Sequence, residues 1–332
     1  MGYLVSDQNQ TGIFFESGTY ANPTGATLQW IGFMQDSTID ESIPRTKIRY
    51  TGTTSRNVSA LVTGPEDYKG TLSFYPQNWR MLAFALGSCL DAGSPSPYTH
   101  VISETNSNTG NYATSGVKAP FVSFTIEDAH IGQTTGSSFL RTVKGCVVDT
   151  LSISASEGEL VSCEVGYIGQ NLTFSSGAAT TLTADTSRPF KWQDCQVHIP
   201  SGTIVQGLKD FSWSIANNLV ASHYLNGSVV IEQPIPTNRD YEFTLTCDEN
   251  SDQIKTFYDA YFKGGSSFNA MLQITNFGTA GSADLFIIMS GCALDDMSAP
   301  TKNEGINENS LTIIPKNAIA NINDQTQLYN AW

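Results

Sequence analysis

The pentapeptide Gly145-Cys146-Val147-Val148-Asp149 is answered by Gly291-Cys292-Ala293-Leu294-Asp295, and this recurrence constrains the fold more than any other feature of the chain. Its first copy lies in the stretch from Thr142 to Gly169. There two alternating apolar runs, Val143 to Ser154 and Glu159 to Tyr167, flank a turn at Ser156-Glu157-Gly158. Alternation of period two around such a turn predicts a long β-hairpin. The recurrence spreads outward from it. Tyr68-Lys69-Gly70-Thr71-Leu72-Ser73 is mirrored by Tyr241-Glu242-Phe243-Thr244-Leu245-Thr246, and each is followed by a segment of helical spacing. In the first, Gln77 to Leu86, Trp79, Leu82, Ala83 and Leu86 share a face and Gly87 is the stop. In the second, Ser251 is the N-cap, Ile254, Phe257, Tyr258, Tyr261 and Phe262 make the apolar face, and Gly264-Gly265 is the stop.

Between Gly87 and Gly145 the offset between the copies drops from 177 to 146, which implies an insertion of about 31 residues in the first copy. Leu90 to Ala119 carries Pro95, Pro97 and little periodicity, so it reads as an inserted flap. The expected organisation is therefore mainly β, with two tandem duplicated β-sandwich or barrel domains, each with one flanking α-helix. The boundaries follow from composition: an N-terminal arm over 1–27, a first domain over 28–175 with the flap at 90–119, and a linker over 176–189. A second domain over 190–314 and a C-terminal arm over 315–332 complete the chain.

Composition narrows the function classes. The chain has 332 residues, 31 acids against 17 bases and a net charge of −14. The charge is shared as roughly −6 and −8 about residue 165, so no acidic tail carries it. Gripping nucleic acid requires clustered Lys and Arg, which this balance opposes. The six cysteines (Cys89, Cys146, Cys163, Cys195, Cys247 and Cys292) include no C-x-x-C pair, so no metal site or cofactor is expected and the thiols read as small core residues. No apolar run approaches the roughly 18 residues of a membrane helix, and no leader is visible at Met1. That makes the cytoplasm the default site of folding.

Catalytic constellations are missing too. His100, His130, His198 and His223 stand apart, and no nucleophile elbow, P-loop or dinucleotide fingerprint occurs. The acidic pairs Asp40-Glu41, Glu66-Asp67 and Asp295-Asp296 sit in turn-like surroundings and read as solvated acids. The expectation is a structural protein, not an enzyme. Two rivals stay open. One is a carbohydrate-binding β-sandwich with Trp30, Trp79, Trp192 and Trp213 as platforms. The other is a polysaccharide depolymerase on a viral β scaffold, which needs two flanking carboxylates.

A family resemblance joins this reading through a series of motifs. They are Trp30-Ile31-Gly32 with Gln35-Asp36; Gly64-Pro65; Thr71-Leu72-Ser73-Phe74-Tyr75-Pro76 with Leu82 and Leu86-Gly87; and Val143-Lys144-Gly145-Cys146 with Leu151-Ser152-Ile153-Ser154. Gly158-Glu159-Leu160-Val161 and Val165-Gly166-Tyr167-Ile168-Gly169 continue it. The progression resembles tail tube (major tail) proteins of long-tailed viruses of bacteria and archaea. The resemblance implies stacked rings that build a conduit for the viral genome. A duplicated chain would then form a trimeric, pseudo-hexameric ring. It implies a place in the virion tail after assembly in the host cytoplasm. Implied partners are further copies of the chain, a tape measure protein and a tail terminator. DNA would pass through the lumen without specific binding, and no membrane is involved. On this reading Glu164 is a lumen-facing acid, and Val143, Val148, Leu151, Ile153, Val161, Val165, Leu285 and Ile287 belong to the ring-wall strands.

Overall fold

A computed structural model describes residues 9–16, 20–23, 27–50, 57–92, 98–104, 122–131, 138–185, 187–200, 202–225, 227–249, 251–275, 284–298, 301 and 306–324. The first half runs β1 (Gln10–Phe15), β2 (Gly32–Ser42), β3 (Arg45–Ile48), β4 (Ala60–Thr63), β5 (Asp67–Pro76), α1 (Arg80–Leu86), β6 (Gly87–Ala92), β7 (Tyr98–Glu104), β8 (Phe124–His130), β9 (Phe139–Ser156), β10 (Ser162–Gly169) and β11 (Asn171–Ser176). The second half opens with β12 (Cys195–His198), β13 (Leu208–Ala216), β14 (Leu219–Val220), β15 (Ile235–Pro236) and β16 (Asp240–Asp248). Then come α2 (Ser251–Thr256), a π-helical turn over Phe257–Phe262, β17 (Phe268–Ile274), β18 (Asp284–Ser298), β19 (Glu308–Ile314) and β20 (Asn317–Asp324).

The long strands β9 and β18 organise everything else, because each serves two layers. Up to Cys146, β9 pairs with β8 and β11; from Val147 onward it pairs with β10 and β13. Up to Cys292, β18 pairs with β17 and β20; from Ala293 onward it pairs with β19. Gly145 and Gly291 have φ of 66° and 62°, a left-handed conformation in which a side chain is strained. The glycine of the repeated pentapeptide is thus the turn at which a strand leaves one layer for the other. Its aspartate also recurs in structure, since Asp149 and Asp295 each sit at a register shift of the strand pairing.

One layer is an eight-stranded antiparallel sheet in the order β2-β5-β10-β9-β13-β16-β19-β18. With the four strands of each half counted along the chain, both halves read first, second, fourth, third. The eight strands do not divide into two sheets. β9 and β13 pair through seven residues, from Thr150↔Ala216 to Ser156↔Asp210, so the sheet runs through from one half to the other as part of one large sheet. The second layer holds β1-β8-β9-β11 on one side and β12-β17-β18-β20-β7-β6 on the other. A single buried apolar cluster joins the layers, from Ile13 and Phe15 to Ile322.

The sequence expectations fail at several places, each for a local reason. The first helix begins at Arg80 because Gln77 and Asn78 are engaged elsewhere: Trp30 Nε1 donates to Gln77 Oε1 (2.5 Å) and Asn78 Nδ2 donates to the Trp30 carbonyl (2.9 Å). Within α1 every residue from Met81 to Leu86 is buried, so it is a core helix and not an amphipathic one. The flap is in part a hairpin: β6 pairs with β7, and β7 pairs with β20, while residues 105–119 lie outside the described residues. The N-terminal arm contributes β1, which buries Ile13 and Phe15. The C-terminal arm contributes β20, which buries Ala318, Ala320 and Ile322; the remaining residues 325–332 lie outside the description. Both arms contain alternating apolar residues too few to stand out in a polar context.

Candidate functional site: the polar face of the eight-stranded sheet

The eight-stranded sheet has one face turned to the core and one that is polar. Along β13, Phe211, Trp213 and Ile215 are buried, while Asp210, Ser212 and Ser214 point the other way. β16 repeats the pattern, with Tyr241, Phe243 and Leu245 inward and Glu242, Thr244 and Thr246 outward. Cross-strand register carries this face through the whole sheet: Ser214 stands opposite Ser152, Ser152 opposite Glu164, and Glu164 opposite Ser73. The result is a carpet of Ser and Thr studded with Asp36, Asp40, Glu164, Asp210, Glu242 and Asp296, with Lys69 opposite Asp40. Clustered carboxylates on a hydroxyl surface repel a polyanion and offer water a dense set of hydrogen-bonding groups.

The join between β9 and β13 is built with particular care. The Asp149 carbonyl accepts from Asn217 N (2.7 Å), and Asp149 Oδ1 accepts from Leu219 N (2.8 Å). Buried Asn217 donates through Nδ2 to the carbonyls of Ala85 and Val148 (both 3.0 Å), and its Oδ1 accepts from Arg239 Nε (3.0 Å). One amide side chain therefore ties α1, β9 and the chain leaving β13 together. A trough of about 630 Å3 crosses the polar face here, with Glu164 and Glu242 among its walls beside Arg239 and Lys316.

Glu164 lies exposed on the polar face. Val148, Leu151, Ile153 and Val165 are in the same sheet but on its core side, and Val161 is buried just ahead of β10. Val143, Leu285 and Ile287 precede the glycine turns and belong to the second layer. The sequence reading left out half of the face, namely β2, β5, β13 and β16, although the Ser-x-Ser and Thr-x-Thr alternations at Ser212, Ser214, Thr244 and Thr246 signal it.

Features expected of the rival functions are laid out differently. Trp79 and Trp213 are buried, Trp79 stacking on Phe190 at 5.1 Å, whereas Trp192 is 41% exposed. Asp40 and Glu41 are adjacent in β2 and so point to opposite faces, which removes them as a convergent acid–base pair. Among the described residues no group of three His, Cys, Asp or Glu side chains has metal-binding geometry, and no helix is long and apolar enough to cross a membrane. All six cysteines are free thiols; burial pushes those of Cys247 and Cys292 up to about 11 and those of Cys146 and Cys163 well above their usual range.

Glu16 is a fully buried carboxylate of the second layer. It accepts from Thr125 Oγ1 (2.5 Å), from the backbone N of Gly145 and Ala21 (both 2.9 Å), and from Ser123 Oγ. Every one of these bonds is structural, and one of them braces the β9 glycine turn.

Fold and surface together define a mainly β structural protein whose distinctive feature is a broad acidic, hydroxyl-rich sheet face. The family model for phage tail tube proteins matches residues 16–320, and the chain belongs to that family. It is a structural, non-enzymatic component of the virion tail. No curated protein matches the chain.

Proposed function

We propose that this chain is a duplicated tail tube subunit, and that three chains close into a pseudo-hexameric ring whose stacked copies carry the viral DNA. The observation that carries this reading is the identical strand order in the two halves of the eight-stranded sheet. Register supports it in detail. Asp36↔Ser73 and Ser42↔Asp67 in the first half correspond to Asp210↔Thr246 and Ala216↔Asp240 in the second, with a register shift at the same place in each. Val165↔Leu72 likewise corresponds to Leu311↔Leu245. The duplication divides the chain near the expected 176–189 link, and the β6–β7 hairpin is the piece without a counterpart in the second half.

The polar face lines the lumen, with Glu164 among its acids. An acidic, hydroxyl-rich wall lets a polyanion slide without adhering, because the carboxylates named on it outnumber Lys69, Arg239 and Lys316 beside them. The ring-wall residues Val148, Leu151, Ile153, Val161 and Val165 support that wall from the core side, and Val143, Leu285 and Ile287 stand behind it in the second layer. A tape measure protein inside the tube and a terminator at its end are the partners that such a conduit needs. Negative-stain electron microscopy with native mass measurement tests the reading. Rings of three chains are expected; a chain that stays monomeric at every ionic strength overturns it.

A further inference from the structure

The second layer has an outer face, turned away from the eight-stranded sheet, and the two halves treat it differently. In the first half the linker that leaves β11 crosses this face. Thr180 donates to Glu127 through its backbone N and its Oγ1 (both 2.9 Å), and its carbonyl accepts from Gln10 Nε2 (2.6 Å). Two residues on, Leu182 bridges to buried Leu28. Glu127 points outward here, since its neighbour Ile126 belongs to the core. In the second half the corresponding surface is an apolar row. Met271 stands opposite Ile288 and Ile288 opposite Ile319, with Ile288 and Ile319 36% and 42% exposed. An apolar strip of this kind marks a place where something docks.

Register fixes which residues correspond. Phe124 lies opposite Cys146 and Phe268 opposite Cys292, and each pairing shifts register just after the phenylalanine. Counted from there, Glu127, Thr142 and Thr173 of the first half hold the places of Met271, Ile288 and Ile319 in the second. Gln10, opposite Ala129, holds the place of Gln196, opposite Gln273.

The covering segment recurs as well. At the offset of 146 that relates Gly145 to Gly291, Thr180 and Leu182 become Thr326 and Leu328. They belong to residues 325–332, outside the described residues, which follow β20 as the linker follows β11. Polarity changes in step on both sides. Where the face exchanges Glu and Thr for Met and Ile, the segment exchanges Thr183 and Thr186 for Tyr329 and Trp332.

We propose that residues 325–332 fold back on their own chain and cover the outer face of the second half. Leu328, Tyr329 and Trp332 pack on the row of Met271, Ile288 and Ile319, and Gln196 donates to the Thr326 carbonyl as Gln10 donates to that of Thr180. The occupant is the chain's own end, because the linker it copies covers the half from which it emerges. The proposal rests on the correspondence of the two halves in the reading above, and not on ring closure.

The test uses the unassembled full-length protein beside a chain ending at Asp324 and the variants Leu328→Asp and Ile288→Asp. Ile288 lies outside the buried core, so its substitution leaves the fold in place. Amide exchange at 325–332 is expected to be slower by about tenfold or more in the parent than in either variant, at every dilution. A dye that fluoresces on exposed apolar surface is expected to respond to the shortened chain and to Leu328→Asp, and not to the parent. Exchange at the rate of a free peptide at every dilution overturns the proposal and leaves the ring standing. Protection that appears only as concentration rises puts the segment on a second copy and overturns it as well. If the protection is present and no ring ever forms, the ring reading falls and the docking stands.

Discussion

Gly145 and Gly291 share a sequence context and a left-handed backbone, yet their surroundings differ. A Cβ on Gly145 would lie 2.8 Å from Tyr20 Cζ and 3.0 Å from Gln170 Cβ, both in packed positions. A Cβ on Gly291 would meet Lys316 Cδ at 3.1 Å, near the end of a flexible side chain that can move away. Gly291→Ala is therefore expected to cost about 1–2 kcal/mol, the strain of the left-handed backbone. Gly145→Ala adds overpacking of about 1–3 kcal/mol. Urea midpoints at unchanged slope measure the difference; equal losses would show that the Tyr20 contact yields freely. The same residue illustrates a limit of reading sequence. The repeat marks Gly145 as special, but Glu16 and Tyr20, which surround it, come from a segment that looks like a disordered arm.

At the scale of elements, the end strands matter more than their composition suggests. β20 is flanked by β18 and β7, and its Ala318, Ala320 and Ile322 are fully buried. Ile322→Ala is expected to destabilise the isolated chain by about 2–5 kcal/mol, as for a core truncation. A flexible arm that orders only on a neighbouring ring would tolerate it within about 0.5 kcal/mol, so thermal unfolding of the unassembled protein separates the two. The helices show the converse contrast. α1 is buried between the layers, whereas the π-helical turn after α2 leaves Tyr258 and Phe262 at 47% and 40% exposure, their rings 6.0 Å apart. Periodicity identified both helices, but only the hairpin inserted after the first, whose strand contacts cover it, distinguishes their environments.

For the whole molecule, the net charge of −14 sets how assembly responds to solution conditions. Like charges on neighbouring copies repel less as the Debye length shortens to about 10 Å, near 0.1 M salt. Association is thus expected to strengthen as salt rises from low ionic strength. Asp40→Asn removes one exposed carboxylate from an end strand and should move the onset of assembly to lower salt. Sedimentation across a salt series reads this directly; an onset unmoved by salt and by the substitution would show that repulsion between copies does not limit assembly. Stability of the single chain should be indifferent to Asp40→Asn, because Asp40 is exposed on the edge strand.

The sequence by itself determined the strand-rich class, the two helices with their glycine stops, the absence of recognisable catalytic motifs and the repeated glycine-cysteine strand. These are local properties: period two, period 3.6, a missing Cβ and an internal match all survive without knowledge of the partner strands. Tertiary structure alone decided that β9 joins β13, that arms and flap supply strands, and that one sheet face is continuous and polar. Pairing is a non-local choice, made by which apolar faces find each other across the core, and no single strand carries that information. The pentapeptide pointed to the glycine turn, and the fold revealed what turns there: a strand that leaves one layer and joins the other.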